Sequence, residues 1–277
     1  MKKELKLRGY SQKTRKAYLH HIELYINYFA KYPKELDENH IREYILHLID
    51  EKKVSRSYHN QAVSAIKFLY DDVLKMPKVV GSLPRPRKKR KLPVILSRED
   101  VKRLIQSVGN VKHKAILRLA YSAGLRVSEV VRLRVQDIDS KRWMIHIRAS
   151  KGRKDRYTVL SNVVLEVLKE YWNKYRPKNW LFPGAKESNH ITTRTVEKIL
   201  ENARQKAGIP KHITVHTLRH SFATHLLESG VDLRYIHEIL GYKSSKTTEI
   251  YTHVSEKDIA RIRSPLDAIM RKGNENV

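Results

Sequence analysis

Apolar positions in the first ninety residues recur at helical spacing. Ala17, Leu19, Ile22, Ile26 and Phe29 follow Ser11, whose hydroxyl suits a helix N-cap. Ile41, Tyr44, Ile45, Leu48 and Ile49 share a face of a second helix, opened by Asp37 or Asn39. Ala62, Ala65, Ile66, Leu69, Val73 and Leu74 mark a third over residues 57–75. Together they predict a small all-helical domain. The periodicity breaks at 81–93, where Pro84, Pro86 and Pro93 forbid a continuous helix and a run of like charges repels itself into an extended form.

The pattern resumes at Ser97, a further N-cap candidate with Asp100 three residues on, and continues with a helix to Ser122 and a stop at Gly124. Residues 143–147 (Trp-Met-Ile-His-Ile) and 156–160 (Arg-Tyr-Thr-Val-Leu) flank a polar turn around Lys151-Gly152, which predicts a β-hairpin. Helices are expected at 163–175, 193–207, 217–228 and 232–240, with a short piece at 247–252. Pro177, Pro210, Gly230 and Gly241 separate these elements. The expected fold is mostly α with a small antiparallel sheet. A helical domain covers 1–82, a basic linker 83–93, and a mixed α/β domain 94–277.

Charge adds a partner class. The 277 residues hold 57 Lys and Arg against 29 Asp and Glu, a formal net charge of +28. The excess is spread over both predicted domains, as suits a long polyanion touching each of them. The linker cations Arg85, Arg87, Lys88, Lys89, Arg90 and Lys91 are expected on phosphates. The chain has no cysteine, so disulfides, thiol nucleophiles and Cys-type zinc sites are excluded and a reducing cytoplasm fits. The basic N-terminus lacks the apolar stretch of a signal peptide, and no run of about 18 apolar residues predicts a membrane span.

Four segments are candidates for chemistry. They are Ala123-Gly124-Leu125-Arg126-Val127-Ser128-Glu129, the turn 150–156 with Lys151, His216-Thr217-Leu218-Arg219-His220, and 240–254 with Tyr242 and Tyr251. Each alone is modest evidence, since a lone Arg or Lys is usually solvated and a lone Tyr usually packs. In this order they resemble the catalytic domain of the tyrosine recombinase (phage integrase) family, with the helical N-terminal domain that clamps DNA there. The likeness extends to Xer-like and integron-integrase-like members. Residues 262–268 look like an integron-integrase ending, whereas the stretch between Leu181-Phe182-Pro183-Gly184 and His216 is too short for the integron integrases' extra insert.

The resemblance assigns Arg126 and Arg219 to the two family arginines, Lys151 to the hairpin lysine, His216 to the histidine before the second arginine, and Tyr251 to the nucleophile. Glu129 and His220 are supporting residues, Glu129 orienting Arg126 or His216. The chemistry is consistent with those types. Attack on a phosphodiester builds negative charge on its non-bridging oxygens, and two guanidinium forks hold that charge bidentately. A phenol with a pKa of about 10 needs cationic neighbours and a proton acceptor, a part His216 suits. Lys151 can protonate the departing 5′ oxygen, leaving a 3′-phosphotyrosine.

One position departs from the family pattern. Nine residues before Tyr251 the family carries His, less often Trp, and this chain carries Tyr242. A phenol can donate a hydrogen bond there but cannot become a cation near neutrality, so a positioning role with lowered activity is expected.

The resemblance implies site-specific recombination of double-stranded DNA through a Holliday junction, with no metal, ATP or other cofactor. It also implies a homo-oligomer, two chains per site and four in the synapse, in the nucleoid-associated cytoplasm. The apolar set Ala260, Ile262, Leu266, Ile269 and Met270 is expected to dock on a neighbouring protomer. Three rival readings remain. One is a catalytically weak or silent DNA-binding protein, which Tyr242 favours. Another is a type IB topoisomerase-like monomer. The third is a metal site at His216 and His220 (i, i+4) with His225 nearby, but Thr217 stands where a metal-binding helix usually carries an acid.

Overall fold

The computed structural model describes residues 1–80, 83, 93–148, 155–241 and 264–267. The chain divides into two compact units, Met1–Lys91 and Leu92–Val277.

The first unit contains α1 (Lys2–Leu7), α2 (Gln12–Phe29), α3 (Glu38–Asp50) and α4 (Arg56–Lys67), the last running on into a π-helical stretch, Phe68–Val73. Three caps set these starts, because each side chain satisfies an amide that the first turn leaves unpaired. Ser11 accepts from the Thr14 amide at 3.1 Å, Asp37 from His40 at 3.1 Å and Ser55 from Tyr58 at 3.3 Å. The core gathers Ile22, Tyr25, Ile41, Tyr44, Leu48 and Ile66. Each such side chain contributes about 1.5–3 kcal/mol through removal from water. At its centre the Tyr25 and Tyr70 hydroxyls meet at 3.0 Å, and Tyr70 donates onward to the Pro33 carbonyl at 2.8 Å, so neither buried phenol is left unsatisfied. Two expectations change. Ile49 is 41% exposed, because it lies about 80° round the helix from the Ile41–Leu48 stripe. Leu83, expected to open the linker, is buried in this core.

The second unit comprises α5 (Arg98–Gln106), α6 (Val111–Ser122), α7 (Val127–Val130), β1 (Ile138–Asp139), β2 (Met144–Ile147), β3 (Arg156–Val159), α8 (Asn162–Tyr175), α9 (Thr193–Lys206), α10 (Val215–Glu228) and α11 (Leu233–Leu240). The sheet is antiparallel in the order β1-β2-β3, with Ile145 opposite Thr158 and Ile147 opposite Arg156. The expected hairpin is present; β1, only two residues long, and α7, only four, fall below what periodicity can reveal. α6 is buried on nearly every side and packs against α8 and α10, making it the axis of the unit. Among the described residues no helix is long and apolar enough to cross a membrane.

Of the five apolar residues expected to dock on a neighbouring protomer, Leu266 departs from that expectation. It is fully buried in the unit's own core, the Ser264 hydroxyl donates to the Ser122 carbonyl at 3.2 Å, and Asp267 accepts from the Val163 amide at 3.3 Å. An apolar side chain beside the N-terminus of α8 found its partner within the same chain. The other four residues of that set lie outside the described residues.

Candidate active site

Gly124 ends the α6 segment with φ +59, a left-handed turn that L side chains rarely adopt. The turn swings the chain so that Arg126 becomes the N-cap residue of α7 and Glu129 falls in its first turn. The Arg126 amide donates to Glu129 Oε2 at 2.8 Å, and Arg126 Nη1 donates to Oε1 at 2.7 Å. From β3, Arg156 meets the same carboxylate with both ends of its fork, Nη1 to Oε1 and Nη2 to Oε2, each at 2.9 Å. Arg219, 2% exposed on α10, brings Nη1 to 3.8 Å from Glu129 Oε2 and donates it to the Gly124 carbonyl at 2.6 Å.

These three guanidiniums also take the last carbonyls of α11. Arg156 Nε donates to Ile239 at 2.7 Å, Arg219 Nη2 to Leu240, and Arg126 Nη2 to Gly241 at 3.3 Å. A helix C-terminus carries partial negative charge, so it suits cations at this end. Burial would push the Glu129 carboxyl up, but hydrogen bonds and charge from Arg156, then Arg126, outweigh it and hold the group at about 2. Glu129 is therefore ionised at neutral pH, and three guanidiniums face one carboxylate. The surplus positive charge suits a phosphodiester anion.

The histidines divide. Thr214 caps α10, its Oγ1 accepting from the Thr217 amide at 3.3 Å, so the helix starts earlier than the expected 217 and His216 stands exposed in its first turn. His220 is half-buried one turn on. Burial, then the nearby His216 and Arg219, push it below the usual histidine range. His225 is 2% exposed and belongs to the interior. Its Nε2 lies 3.1 Å from the Leu96 carbonyl, which can only accept, so Nε2 donates and Nδ1 accepts from the Tyr121 hydroxyl at 2.8 Å. Both ring nitrogens are thus used, which removes His225 from a metal constellation. Among the described residues no three His, Asp or Glu side chains gather as metal ligands.

The structure brings Arg126, Glu129 and Arg219 together, with His216 and His220 on the helix that carries Arg219. Lys151, Tyr242, Tyr251, Arg85, Arg87 and Lys88 to Lys91 lie outside the described residues, as does the expected helix at 247–252. Of the two expected partners of Glu129, Arg126 is bound directly; the carboxylate's hydrogen bonds go to Arg126 and Arg156. Arg156 is the residue that sequence reasoning missed. Its signal was the two-residue alternation of β3, which sets Arg156 on the same face as Thr158, fully buried and donating to the Ala123 carbonyl at 2.9 Å. A long cation facing inward needs a buried anion, and Glu129 supplies it.

A helical unit and a mostly helical unit with a carboxylate-centred arginine cluster at one helix end define a two-unit protein whose candidate site suits an anionic substrate. Comparison agrees along the chain: residues 95–258 match the phage integrase family and residues 1–78 the N-terminal SAM-like domain of phage integrases. The chain is 34% identical over 265 residues to tyrosine recombinase XerD of Rickettsia bellii, covering 85% of this chain and 86% of that one. The crystal structure of XerA recombinase superposes with a TM-score of 0.53 at 28% identity, covering 99% of this chain and 95% of that one. The XerH site-specific recombinase bound to its difH substrate, a pre-cleavage complex, shares the fold with a TM-score of 0.71 at 23% identity, covering 89% and 78%. The chain belongs to the phage integrase family, the tyrosine recombinases.

Proposed function

We propose that this protein cuts and rejoins double-stranded DNA at specific sites, with Tyr251 as nucleophile. The observation that carries the reading is the cluster of Arg126, Arg156 and Arg219 around Glu129. It gathers two family arginines beside one carboxylate with positive charge in surplus, which supports a role in stabilising the charge that develops on a scissile phosphate. In the step, the Tyr251 oxygen bonds to phosphorus while the P–O5′ bond breaks. The phenol proton passes to His216, and Lys151 gives a proton to the departing 5′ oxygen. A 5′ hydroxyl from the partner strand reverses the step. Bond energy is conserved in the phosphotyrosine, so no ATP is consumed.

Tyr242 takes the place of the family's usual His as a hydrogen-bond donor. The basic run from Arg85 to Lys91 tracks phosphates along the connection between the two units. Two chains occupy each DNA site and four assemble for strand exchange, an arrangement supported by the lambda integrase neighbours solved as a dimer on a core site and as a tetramer on a Holliday junction.

A nicked suicide substrate tests the reading, because the cleaved strand's 5′ product diffuses away and traps the covalent complex. Wild type and Tyr242→Phe should accumulate it and Tyr251→Phe should not. Trapping by Tyr251→Phe would overturn the assignment of the nucleophile. No trapping by wild type would leave a silent DNA-binding protein.

A further inference from the structure

Arg156 occupies the first position of β3, on the strand that leaves the hairpin turn, and it is 9% exposed. All three of its guanidinium nitrogens are engaged, Nη1 and Nη2 on the two oxygens of Glu129 and Nε on the Ile239 carbonyl. Glu129 in turn holds Arg126 through side chain and backbone. Gly241, the residue that closes α11, lies against the Arg156 side chain with φ +58. A Cβ there would stand 2.8 Å from Arg156 Cδ. One side chain therefore touches three elements: β3, the first turn of α7, and the carbonyl end of α11.

The geometry also limits what Glu129 can do. With Arg156 in place each carboxylate oxygen is shared between two donors, Oε1 between Arg126 Nη1 and Arg156 Nη1, and Oε2 between the Arg126 amide and Arg156 Nη2. Without that fork the carboxylate would keep Arg126 and the more distant Arg219 but lose its tie to β3 and the end of α11, and one positive charge fewer would be left for a phosphate. A lysine would keep the charge but not the fork, since one ammonium cannot reach both carboxylate oxygens and the Ile239 carbonyl in the same planar arrangement.

We propose that Arg156 is a positioning residue for strand cleavage: it holds Glu129 and the end of α11 so that Arg126 is presented to the scissile phosphate. The proposal rests on the phosphotyrosine reading above. Its effect belongs in the chemical step, where a misplacement of about 1 Å can cost about a hundredfold in rate, and not in DNA affinity, to which the many remaining cations contribute.

The test compares wild type, Arg156→Lys and Arg156→Gln on nicked suicide substrates at saturating protein, with gel-shift affinity and thermal melting measured beside the cleavage rate. Arg156→Lys should cleave at least about tenfold more slowly, within the cost of misplaced groups, while affinity changes little. Where Arg156→Gln does not fold, Arg156→Lys, which keeps stem and charge, carries the comparison. A second substrate replaces the scissile phosphate by a methylphosphonate, which is uncharged before attack and has one non-bridging oxygen fewer, so less negative charge develops for Arg126 to stabilise. On it the ratio of wild-type to Arg156→Lys rates should shrink, a change that a general loss of structure would not produce. The double variant Arg156→Lys/Glu129→Gln should be no slower than the slower single variant, because both act through one unit. If wild type itself forms no covalent complex, the reading of function fails. If wild type reacts and Arg156→Lys matches it, loses affinity in parallel, or shows the same ratio on both substrates, the positioning role fails.

Discussion

Arg126 and Glu129 hold each other twice, by the Arg126 amide on Oε2 at 2.8 Å and by Arg126 Nη1 on Oε1 at 2.7 Å. The same contact closes the first turn of α7 and aims a guanidinium. A short helix with only Val130 fully buried is thereby kept in register by the charge pair it displays. Local structure and candidate chemistry are here one arrangement, which ties the expected behaviour of variants to both.

Arg126 and Arg219 should differ when removed. Either Ala variant should cut cleavage by on the order of a hundredfold or more, as loss of a preorganised donor does, with little change in DNA affinity. Arg126→Ala should melt below wild type, because Glu129 and the Gly241 carbonyl each lose a partner while the Arg126 amide still holds the carboxylate. Arg219→Ala should melt lower, because it takes a buried fork away from the Gly124 and Leu240 carbonyls. An unsatisfied buried acceptor costs about 1–3 kcal/mol. Paired cleavage assays, gel shifts and melting curves check this; a parallel collapse of affinity and cleavage would contradict it.

The turn at Gly124 should tolerate no side chain. A Cβ there would come within 2.5 Å of Phe222 Cδ1 and 2.6 Å of Leu240 Cδ2, at φ +59. Gly124→Ala should lose about 1–3 kcal/mol through overpacking of the core and strain at the turn. Gly109→Ala, where nothing lies within 4 Å of the added carbon, is the control and should stay near wild type. Equal denaturant midpoints for the two variants would refute the assignment.

Acid should weaken the fold partly through His225. Burial, the largest influence, holds its pKa below the ordinary 6.5, so the folded chain binds fewer protons there than the unfolded chain. The stabilisation is complete above about 6.5 and is lost as pH falls from that value toward the lowered folded pKa. The melting temperature of wild type should drop over that window. His225→Gln should start lower, having lost the Tyr121 and Leu96 pairing, and show a shallower slope. An unchanged slope would assign the acid sensitivity to other histidines.

The linker should contribute affinity without sequence preference. Replacing Lys88, Lys89, Arg90 and Lys91 by Gln should reduce the slope of log affinity against log salt by up to about 3–4, at about 0.9 per neutralised phosphate. Discrimination between target and random DNA should survive. A lost preference with an unchanged slope would show base contacts instead.

Much of this protein was legible in the sequence because its signals are local. Ser11, Asp37 and Ser97 sit where the caps are, and apolar spacing located the long helices from 12 to 240 to within a few residues. The order of Arg126, Lys151, His216, Arg219 and Tyr251 carried the family, since it depends on residue types and spacing alone. Tertiary structure decided what depends on residues far apart in the chain. Arg156 and Glu129 are 27 positions apart and His225 and Tyr121 are 104 apart, so no periodicity could pair them. Leu266 could equally have sought a neighbour or its own core, because an apolar side chain records only that it prefers burial. Only the packed chain, by placing the Ser122 carbonyl and the start of α8 beside it, determined where that burial occurs.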